Sequence, residues 1–225
     1  MMNEVLSFFE NIRWDAINKA TRETLVMMGA SMFFTVILGL AIGILLFLTS
    51  RGQMLQNRFV YWILSLVVNI LRSVPFIILM ILIMPLTKIM VGTSIGVKGA
   101  IPPLVIAAAP FFARLVEAAL REVDKGVLEA AQAMGFSKGM IVWHVLLREA
   151  RTGLLAGTTI TAVTLVSYTA MSGTIGGGGL GDLAIRFGFQ RFQWDVMIIT
   201  VILLIILVQG LQMIGDALVR KYSRK

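Results

Sequence analysis

Five long apolar segments divide this chain, and each is long enough to cross a membrane as a helix. They extend over about residues 24–48, 59–86, 99–119, 153–171 and 196–219. About 20 consecutive apolar residues span the hydrocarbon core of a bilayer, where backbone polar groups are satisfied only in helices or closed barrels. The pattern predicts an all-α integral membrane protein with five transmembrane helices, folded as a single domain over residues 1–225.

The composition supports a membrane environment and excludes several kinds of chemistry. Hydrophobic residues make up 58% of the chain and charged residues 14%, which is more apolar surface than a soluble domain can bury. The net charge of +8 comes without a basic stripe interleaved with aromatic residues, so we expect no nucleic-acid partner. The chain has no cysteine and no phosphate-binding Gly-x4-Gly-Lys-Ser/Thr loop. We therefore expect no metal, no nucleotide and no catalytic residue on this chain.

The distribution of lysine and arginine predicts the orientation in the membrane. Cytoplasmic segments carry an excess of basic residues, and eleven of them fall inside if the N-terminus is outside, against seven on the outer side. This count favours an outer N-terminus and a cytoplasmic C-terminus. Residues 1–20 are predicted to form an interfacial segment, because residues 3–19 place apolar side chains on one helical face. A soluble N-terminal turn is the alternative.

A polar insert between the third and fourth apolar segments, residues 122–150, has the pattern of two short helices joined at a glycine. Asp124 can cap the first helix, and Gly135 can end it in the left-handed conformation. Ser137 can cap the second helix, which runs towards Leu147. Since the charge pattern places this insert in the cytoplasm, we interpret it as a rigid element that a soluble partner can bind.

The first helix of the insert carries Glu129, Ala130 and Ala131. The two alanines are small enough for a partner surface to approach closely, and the glutamate adds one fixed charge. An ordinary amphipathic loop helix is the alternative for such a short motif taken alone. The complete spacing is more specific: Glu-Ala-Ala, three residues, Gly135, nine residues, and then a hydrophobic residue two positions before Leu147.

This spacing resembles the signature loop of the permease subunits of bacterial ABC importers. Arg148 stands where that family usually has proline. Further stretches resemble the methionine-type importers, from about Thr24 to the basic tail. These stretches are Asn69–Ile78, Val91–Gly96, Ala108–Phe111, Tyr168–Gly173 and Gly176–Gly181.

The resemblance implies a fold and an assembly. The fold is that of type I ABC importer permeases, with a two-helix cytoplasmic coupling loop between the third and fourth spans. The implied partners are a second copy of the chain, two ATPase subunits that hold ATP and magnesium, and an external substrate-binding lipoprotein, all at the bacterial inner membrane. The implied docking residues for the ATPase are Glu129, Ala130, Ala131, Gly135, Ser137 and Leu147.

Charged and proline residues interrupt the second and third apolar segments. Arg72 costs about 3 kcal/mol or more if it faces lipid, so we predict either an ion pair with Glu117 or snorkelling to the interface. Pro75 and Pro110 each deprive a preceding carbonyl of its helical hydrogen bond. They indicate either bendable helices around a path or ordinary packing kinks.

Hydroxyl groups cluster on the fourth segment. Thr161, Thr164, Tyr168 and Ser172 share one helical face, which we predict to line the translocation path, with Met171 as a flexible gate. Bonding of these hydroxyls to the backbone or to the next helix is the alternative. The run of glycines from Gly176 permits tight backbone at the outer mouth.

The substrate is expected to be methionine by resemblance alone, and another amino acid or a short peptide stays open. An ion channel is a more distant alternative, because Thr174, Ile175 and Gly176 only faintly match a potassium filter. An intramembrane enzyme would need paired acidic or histidine residues within the spans, and only Glu117 lies near one.

Overall fold

The computed structural model describes residues 14–223. No β-strand occurs among these residues, which form eleven α-helical segments. The helices are α1 (Trp14–Thr49), α2 (Arg58–Ser73), α3 (Phe76–Leu82), α4 (Met84–Val91), α5 (Gly96–Arg121), α6 (Lys125–Ala133), α7 (Lys138–Met140), α8 (Leu147–Glu149), α9 (Arg151–Ser172), α10 (Gly179–Leu183) and α11 (Trp194–Tyr222). π-Helical turns at Ile141–Leu146 and Ala184–Phe189 precede α8 and follow α10.

Four of these helices are long and apolar enough to cross a membrane, namely α1, α5, α9 with the turn that follows it, and α11. The fifth candidate span is the pair formed by α2 and α3, which is bent by 105°. The all-helical fold and the span number agree with the sequence prediction. Each single-helix span also extends beyond the apolar run that predicted it, by ten residues at the start of α1 and by a few residues in α5, α9 and α11.

The break between α2 and α3 is sharper than the sequence predicted. Residues 59–86 were expected to form one interrupted span, but Val74 adopts an extended conformation (φ −82°, ψ 127°) and Pro75 stands between the two helices. Proline both lacks an N–H donor and pushes the preceding residue out of the helical region. Pro110 behaves differently, because α5 continues through it without interruption; a bendable helix or a packing kink at that position stays a prediction.

The start of α1 also differs from the prediction. The first helix begins at Trp14 and runs without interruption to Thr49, so residues 14–19 belong to the membrane helix rather than to a separate interfacial helix. Residues 1–13 lie outside the described residues, and the interfacial placement of that part stays a prediction.

Contacts divide the described chain into two compact units. The first unit comprises residues 14–32, 75–105 and 162–211, and the second comprises residues 33–74, 106–161 and 212–223. Each unit draws on three separate stretches of the chain, so the division does not separate sequential domains. The single domain over residues 1–225 stays a prediction.

The second unit holds the larger buried cluster. It joins Phe47 near the end of α1, Phe112 and Leu120 of α5, and Ile141 and Leu146 of the insert. Close approach of α1 and α5 depends on glycine, since a Cβ at Gly43 would lie only 2.5 Å from the Cβ of Val116. The first unit has a smaller cluster, which includes Ile17 of α1, Leu180 of α10 and Val196 of α11.

Candidate functional site

The first helix of the insert begins and ends as the sequence predicted. The Asp124 carboxylate accepts a hydrogen bond of 2.6 Å from the Gly126 N–H at the start of α6. At the other end Gly135 is left-handed (φ 79°) and donates to the carbonyl of Gln132, while the Phe136 N–H donates to the carbonyl of Ala131. These two bonds form a Schellman motif, which ends the helix at a defined residue.

The second helix of the insert begins at the predicted cap. The Ser137 hydroxyl accepts from the Met140 N–H at 3.4 Å. The helix then widens into the π-helical turn Ile141–Leu146 and closes with α8. The prediction that this helix runs towards Leu147 is confirmed. The π-helical turn was not predicted, because a single inserted residue leaves no mark on hydrophobic spacing.

The apolar face of the insert is buried within the second unit. Ala131 is 2% exposed and belongs to the buried cluster with Ile141 and Leu146. Leu147 is partly buried against the same cluster. Ala131 is therefore small for packing inside the chain, and the prediction that a partner approaches it directly is wrong.

The opposite face of the insert is exposed and carries Glu129 and Ala130. The insert also exposes large apolar side chains that a soluble surface seldom shows, including Met134 at 68% and Trp143 at 64% exposure. Exposed apolar patches mark interaction sites. The sequence motif did not identify these two residues.

A concave surface of about 430 Å³ adjoins Glu129 within the second unit. It takes its walls from α6 and from the loop that follows α1. The lining residues are Gly52, Gln53, Met54, Lys125, Leu128, Glu129 and Gln132. The loop after α1 was not predicted to contribute, because the contact joins residues some 75 positions apart by sequence.

Glu117 forms the centre of a buried polar network in the second unit, but Arg72 is not part of it. One Glu117 oxygen accepts from Arg114 at 2.7 Å and the other accepts from Arg121 at 2.6 Å. Tyr61 of α2 also donates to Glu117, at 3.3 Å. The predicted ion pair with Arg72 is wrong, since Arg72 is exposed and both carboxylate oxygens are already occupied.

The network reaches a second point on α2. The Arg114 guanidinium donates to the Ser65 hydroxyl at 2.5 Å and to the Asn69 side-chain oxygen at 2.9 Å. The partners of Glu117 lie three residues before it and four residues after it, where helical side chains meet. That spacing was visible in the sequence and would have identified them.

The hydroxyl face of α9 is only partly available for transport. Thr161 and Ser172 are fully buried, and their hydroxyls donate to the carbonyls of Gly157 and Thr169. These two residues therefore satisfy the backbone, as the alternative interpretation held, and their predicted place in the path lining is wrong. Thr164 is half-buried and engaged in an interaction within the chain.

Two further residues of the predicted path lie in the first unit. The Tyr168 ring stacks on the Phe76 ring with centroids 4.4 Å apart and an interplanar angle of 5°. Met171 is 40% exposed, as a gate requires. The contact between Tyr168 and Phe76 could not be predicted from the sequence, because the two residues lie some 90 positions apart.

The glycine-rich segment of the first unit is an ordered, irregular stretch of backbone. Gly176, Gly178 and Gly179 have positive φ. The Gly179 N–H donates to the Glu23 carboxylate at 2.9 Å, and the Leu180 N–H donates to the Thr24 hydroxyl at 2.8 Å. The predicted tight backbone is confirmed. The structure also gives residues Gly173–Ile175 a 3-10 helical turn, which is not the extended geometry of an ion filter.

No group of three or more histidine, cysteine, aspartate or glutamate side chains converges within residues 14–223. Three of the acidic side chains there pair with arginine or lysine instead, namely Glu23, Glu117 and Asp182.

Comparisons with known proteins agree with these features. Residues 36–224 match the family described as "Binding-protein-dependent transport system inner membrane component". A relative from Vibrio cholerae, the probable D-methionine transport system permease protein MetI, is 49% identical over 98% of this chain and 100% of its own length. The methionine import system permease protein MetP of Bacillus subtilis is 46% identical over 93% and 94%.

A solved structure shows the same fold. A chain from the inward-facing conformations of the MetNI methionine ABC transporter superposes with a TM-score of 0.92 at 45% identity, covering 94% of this chain and 98% of that chain. The chain therefore belongs to the family of binding-protein-dependent transport system inner membrane components, the permease subunits of bacterial ABC importers.

Proposed function

We propose that this chain is the membrane-spanning subunit of an ATP-driven importer and forms the path for methionine across the bacterial inner membrane. The proposal is supported by relatives of nearly full length that are named for methionine transport, and by the similarity to the MetNI transporter. The chain itself carries out no bond chemistry. ATP, with magnesium, is hydrolysed on a separate subunit.

The assembly contains two copies of this chain, two cytoplasmic ATPase subunits and an external substrate-binding lipoprotein that delivers methionine. The N-terminus lies outside and the C-terminus lies in the cytoplasm. This orientation places the insert of residues 122–150 on the side where ATP is available. It also places the lysine- and arginine-rich segments in the cytoplasm, as the charge distribution favours.

The ATPase docks on the exposed face of the insert. The docking residues are Glu129 and Ala130, with Gly135 and Ser137 fixing the turn between the helices and Leu147 fixing the return towards α9. Met134 and Trp143 offer the partner large exposed apolar side chains on the same insert. Ala131 acts from inside, where its small side chain allows α6 to lie close to the buried cluster.

One observation carries the coupling mechanism: the insert shares its buried cluster with the ends of two spans. Phe47 of α1 and Leu120 of α5 belong to the same cluster as Ile141 and Leu146 of the insert. Packed interiors transmit displacement because they leave no room for deformation. A shift of the docked insert is therefore passed to α1 and α5 rather than absorbed in the loop.

Transport follows from two alternating states of the dimer. ATP binding draws the two inserts together, and the attached spans rock and open the path to one side. Hydrolysis releases them and opens the other side. Thr164, Tyr168 and Met171 of α9 line the path, and Met171 seals it with a flexible, polarizable side chain. The buried charges of Glu117 and Arg114 hold α2 against α5 during this motion.

Charge reversal at Glu129 tests the docking assignment. We expect Glu129→Arg to lower methionine uptake at least tenfold while the chain still inserts and folds. The change replaces a negative charge by a positive one at the proposed interface and so weakens docking. The measurement is uptake of radiolabelled methionine and ATP hydrolysis in proteoliposomes that contain the ATPase and the binding protein. Glu122→Arg, an exposed glutamate outside the docking face, is the matched control. Normal uptake with Glu129→Arg refutes the assignment.

Competition separates the substrate from its alternatives. Unlabelled methionine should abolish uptake of the label, whereas other amino acids and short peptides present at the same concentration should leave it unchanged. Uptake that responds to another amino acid or to peptides, and not to methionine, refutes the substrate but leaves the ATP-driven permease assignment intact.

A further inference from the structure

A groove of about 550 Å³ in the second unit is lined by none of the residues proposed for docking. Its lining joins three parts of the insert and spans: the π-helical turn with α8, the start of α9 and the end of α11. The lining residues are His144, Arg148, Glu149, Arg151, Thr152 and Tyr222. Neither the transport path nor the ATPase docking face uses this groove.

Two contacts hold the walls of the groove together. The Arg151 guanidinium lies over the Tyr222 ring, 5.2 Å from its centroid, a distance at which a cation is attracted by the aromatic face. The Thr152 hydroxyl donates to the Tyr222 carbonyl at 3.4 Å. The first turn of α9 and the last turn of α11 are thus fixed to each other, and the groove has a defined shape.

The charge of the groove is positive. Arg148 is exposed and forms no ion pair among residues 14–223. Arg220 and Lys221 stand directly before Tyr222, and the Lys221 ammonium lies 5.9 Å from the centre of that ring. The lining contains one carboxylate, Glu149, which is already engaged with another group of the chain. The basic groups therefore outnumber the acidic group.

The depth of the groove follows from the spans that form it. Arg151 begins one candidate span and Tyr222 ends another, so the groove lies where hydrocarbon gives way to headgroups. Tyrosine is enriched at this level. Basic pockets between spans on the cytoplasmic side bind the phosphate of acidic lipids, and each nearby lysine or arginine adds attraction to the anionic leaflet.

We propose that this groove binds the phosphate of an anionic phospholipid headgroup, with Arg148 and Arg151 as its main cations. The lipid then bridges the insert and the ends of α9 and α11, close to the moving part of the chain. The inference goes beyond transport of methionine. It takes only the choice of leaflet from the proposed orientation.

Lipid retention tests the groove directly. The full-length chain, purified from the membrane with any subunits that remain bound, is placed in nanodiscs of equal parts phosphatidylcholine and phosphatidylglycerol. Bound lipid is then counted by native mass spectrometry after release. We expect the unmodified chain to retain phosphatidylglycerol preferentially, and Arg148→Gln and Arg151→Gln each to lower its retention about fivefold. Arg148→Lys should keep most of it, because the charge is preserved.

Arg51→Gln is the matched control. Arg51 is an exposed arginine of another segment predicted to be cytoplasmic, and it does not line the groove. It should leave retention unchanged. The proposal is overturned if the unmodified chain shows no preference for phosphatidylglycerol, or if Arg51→Gln lowers retention as much as Arg148→Gln.

Two further arms distinguish the source of the anion. In nanodiscs of phosphatidylcholine alone, inorganic phosphate should not raise the thermal stability of the chain; stabilisation that requires Arg148 would indicate a soluble phosphate site and overturn the lipid assignment. The same holds if Arg148→Gln leaves phosphatidylglycerol retention unchanged but releases a copurifying protein. Since Arg148 is exposed, its variants should fold, and their thermal unfolding checks this.

Discussion

The docking insert and the glycine-rich segment are both irregular connections between spans, but they are made rigid in opposite ways. The insert has two capped helices and places Ala131, Ile141 and Leu146 in a buried cluster. The glycine-rich segment, residues 176–181, buries only one side chain larger than hydrogen, that of Leu180. Its backbone N–H groups at Gly179 and Leu180 instead donate to Glu23 and Thr24 of α1.

The difference shows two ways to make a loop between spans rigid. The insert is held by a cluster of buried side chains and can transmit movement, whereas the glycine-rich segment is held by close backbone contacts. A side-chain cluster resists displacement in every direction, since any movement opens a cavity. The glycine-rich segment depends instead on close backbone approach and on a few hydrogen bonds. Its stability therefore depends on single atoms. Substitutions that hardly affect the stability of the insert should strongly destabilise the glycine-rich segment.

The largest effect should come from glutamate-to-glutamine substitutions at two positions: Glu117 of α5, in the span that leads into the insert, and Glu23 of α1, which accepts a hydrogen bond from the glycine-rich segment. Glu117→Gln removes the charge between Arg114 and Arg121, and breaking a buried pair costs about 3–5 kcal/mol. We expect a value near the lower limit, because Arg121 keeps some contact with water. Glu23→Gln should cost only about 1 kcal/mol, since an amide oxygen can still accept from Gly179.

The free energy of unfolding in mixed detergent micelles measures both variants. Arg72→Gln is the control for the first, because Arg72 is exposed and outside the network. Equal losses of unfolding free energy for Glu117→Gln and Glu23→Gln would show that the buried network stabilises the chain no more than the contacts of Glu23 do.

A smaller effect should separate two glycines. A Cβ at Gly181 would overlap the backbone of Ala170, whereas a Cβ at Gly139 in the insert would meet nothing within 4 Å. Gly181→Ala should cost about 2–3 kcal/mol, since backbone must move to relieve the overlap. Gly139→Ala should gain about 0.5–1 kcal/mol, because alanine favours the helix. Thermal unfolding compares the stability of the two variants. A Gly181→Ala variant as stable as the unmodified chain would show that the glycine-rich segment can accommodate an added methyl group.

The smallest effect should come from two threonines of α1. Thr24→Val removes the acceptor of the buried Leu180 N–H and should cost about 1–2 kcal/mol. Thr35 has a buried hydroxyl without a hydrogen-bond partner among the described residues, so Thr35→Val should be neutral or slightly stabilising. Hydrogen exchange at Leu180, followed by mass spectrometry, should rise in Thr24→Val and stay unchanged in Thr35→Val.

Much of the insert could be predicted because its decisive interactions are local. The Asp124 and Ser137 caps each join residues two or three positions apart, and the left-handed Gly135 follows from the lack of a Cβ. The buried side of Ala131 could not be predicted. Two adjacent alanines look alike in a motif, and only packing against α1 and α5 shows which one faces inward.

The prolines teach the same lesson. Pro75 and Pro110 remove a helical hydrogen bond in the same way, yet one separates two helices by 105° and the other lies inside an unbroken helix. Pro110 is buried, and 72% of the most apolar window of α5 is buried around it. Surrounding helices can therefore keep α5 in place, whereas most of α2 is exposed and can bend away.

By itself the sequence determined the membrane environment, the number of spans, the capped two-helix insert and the family, because hydrophobic length, charge placement and cap residues act over short distances. Tertiary structure decided which residues of α2 join the network of Glu117 and Arg114, which hydroxyls of α9 remain accessible, and which residues surround the basic groove. Those outcomes depend on side chains brought together from positions 40 or more residues apart, where helical periodicity carries no information.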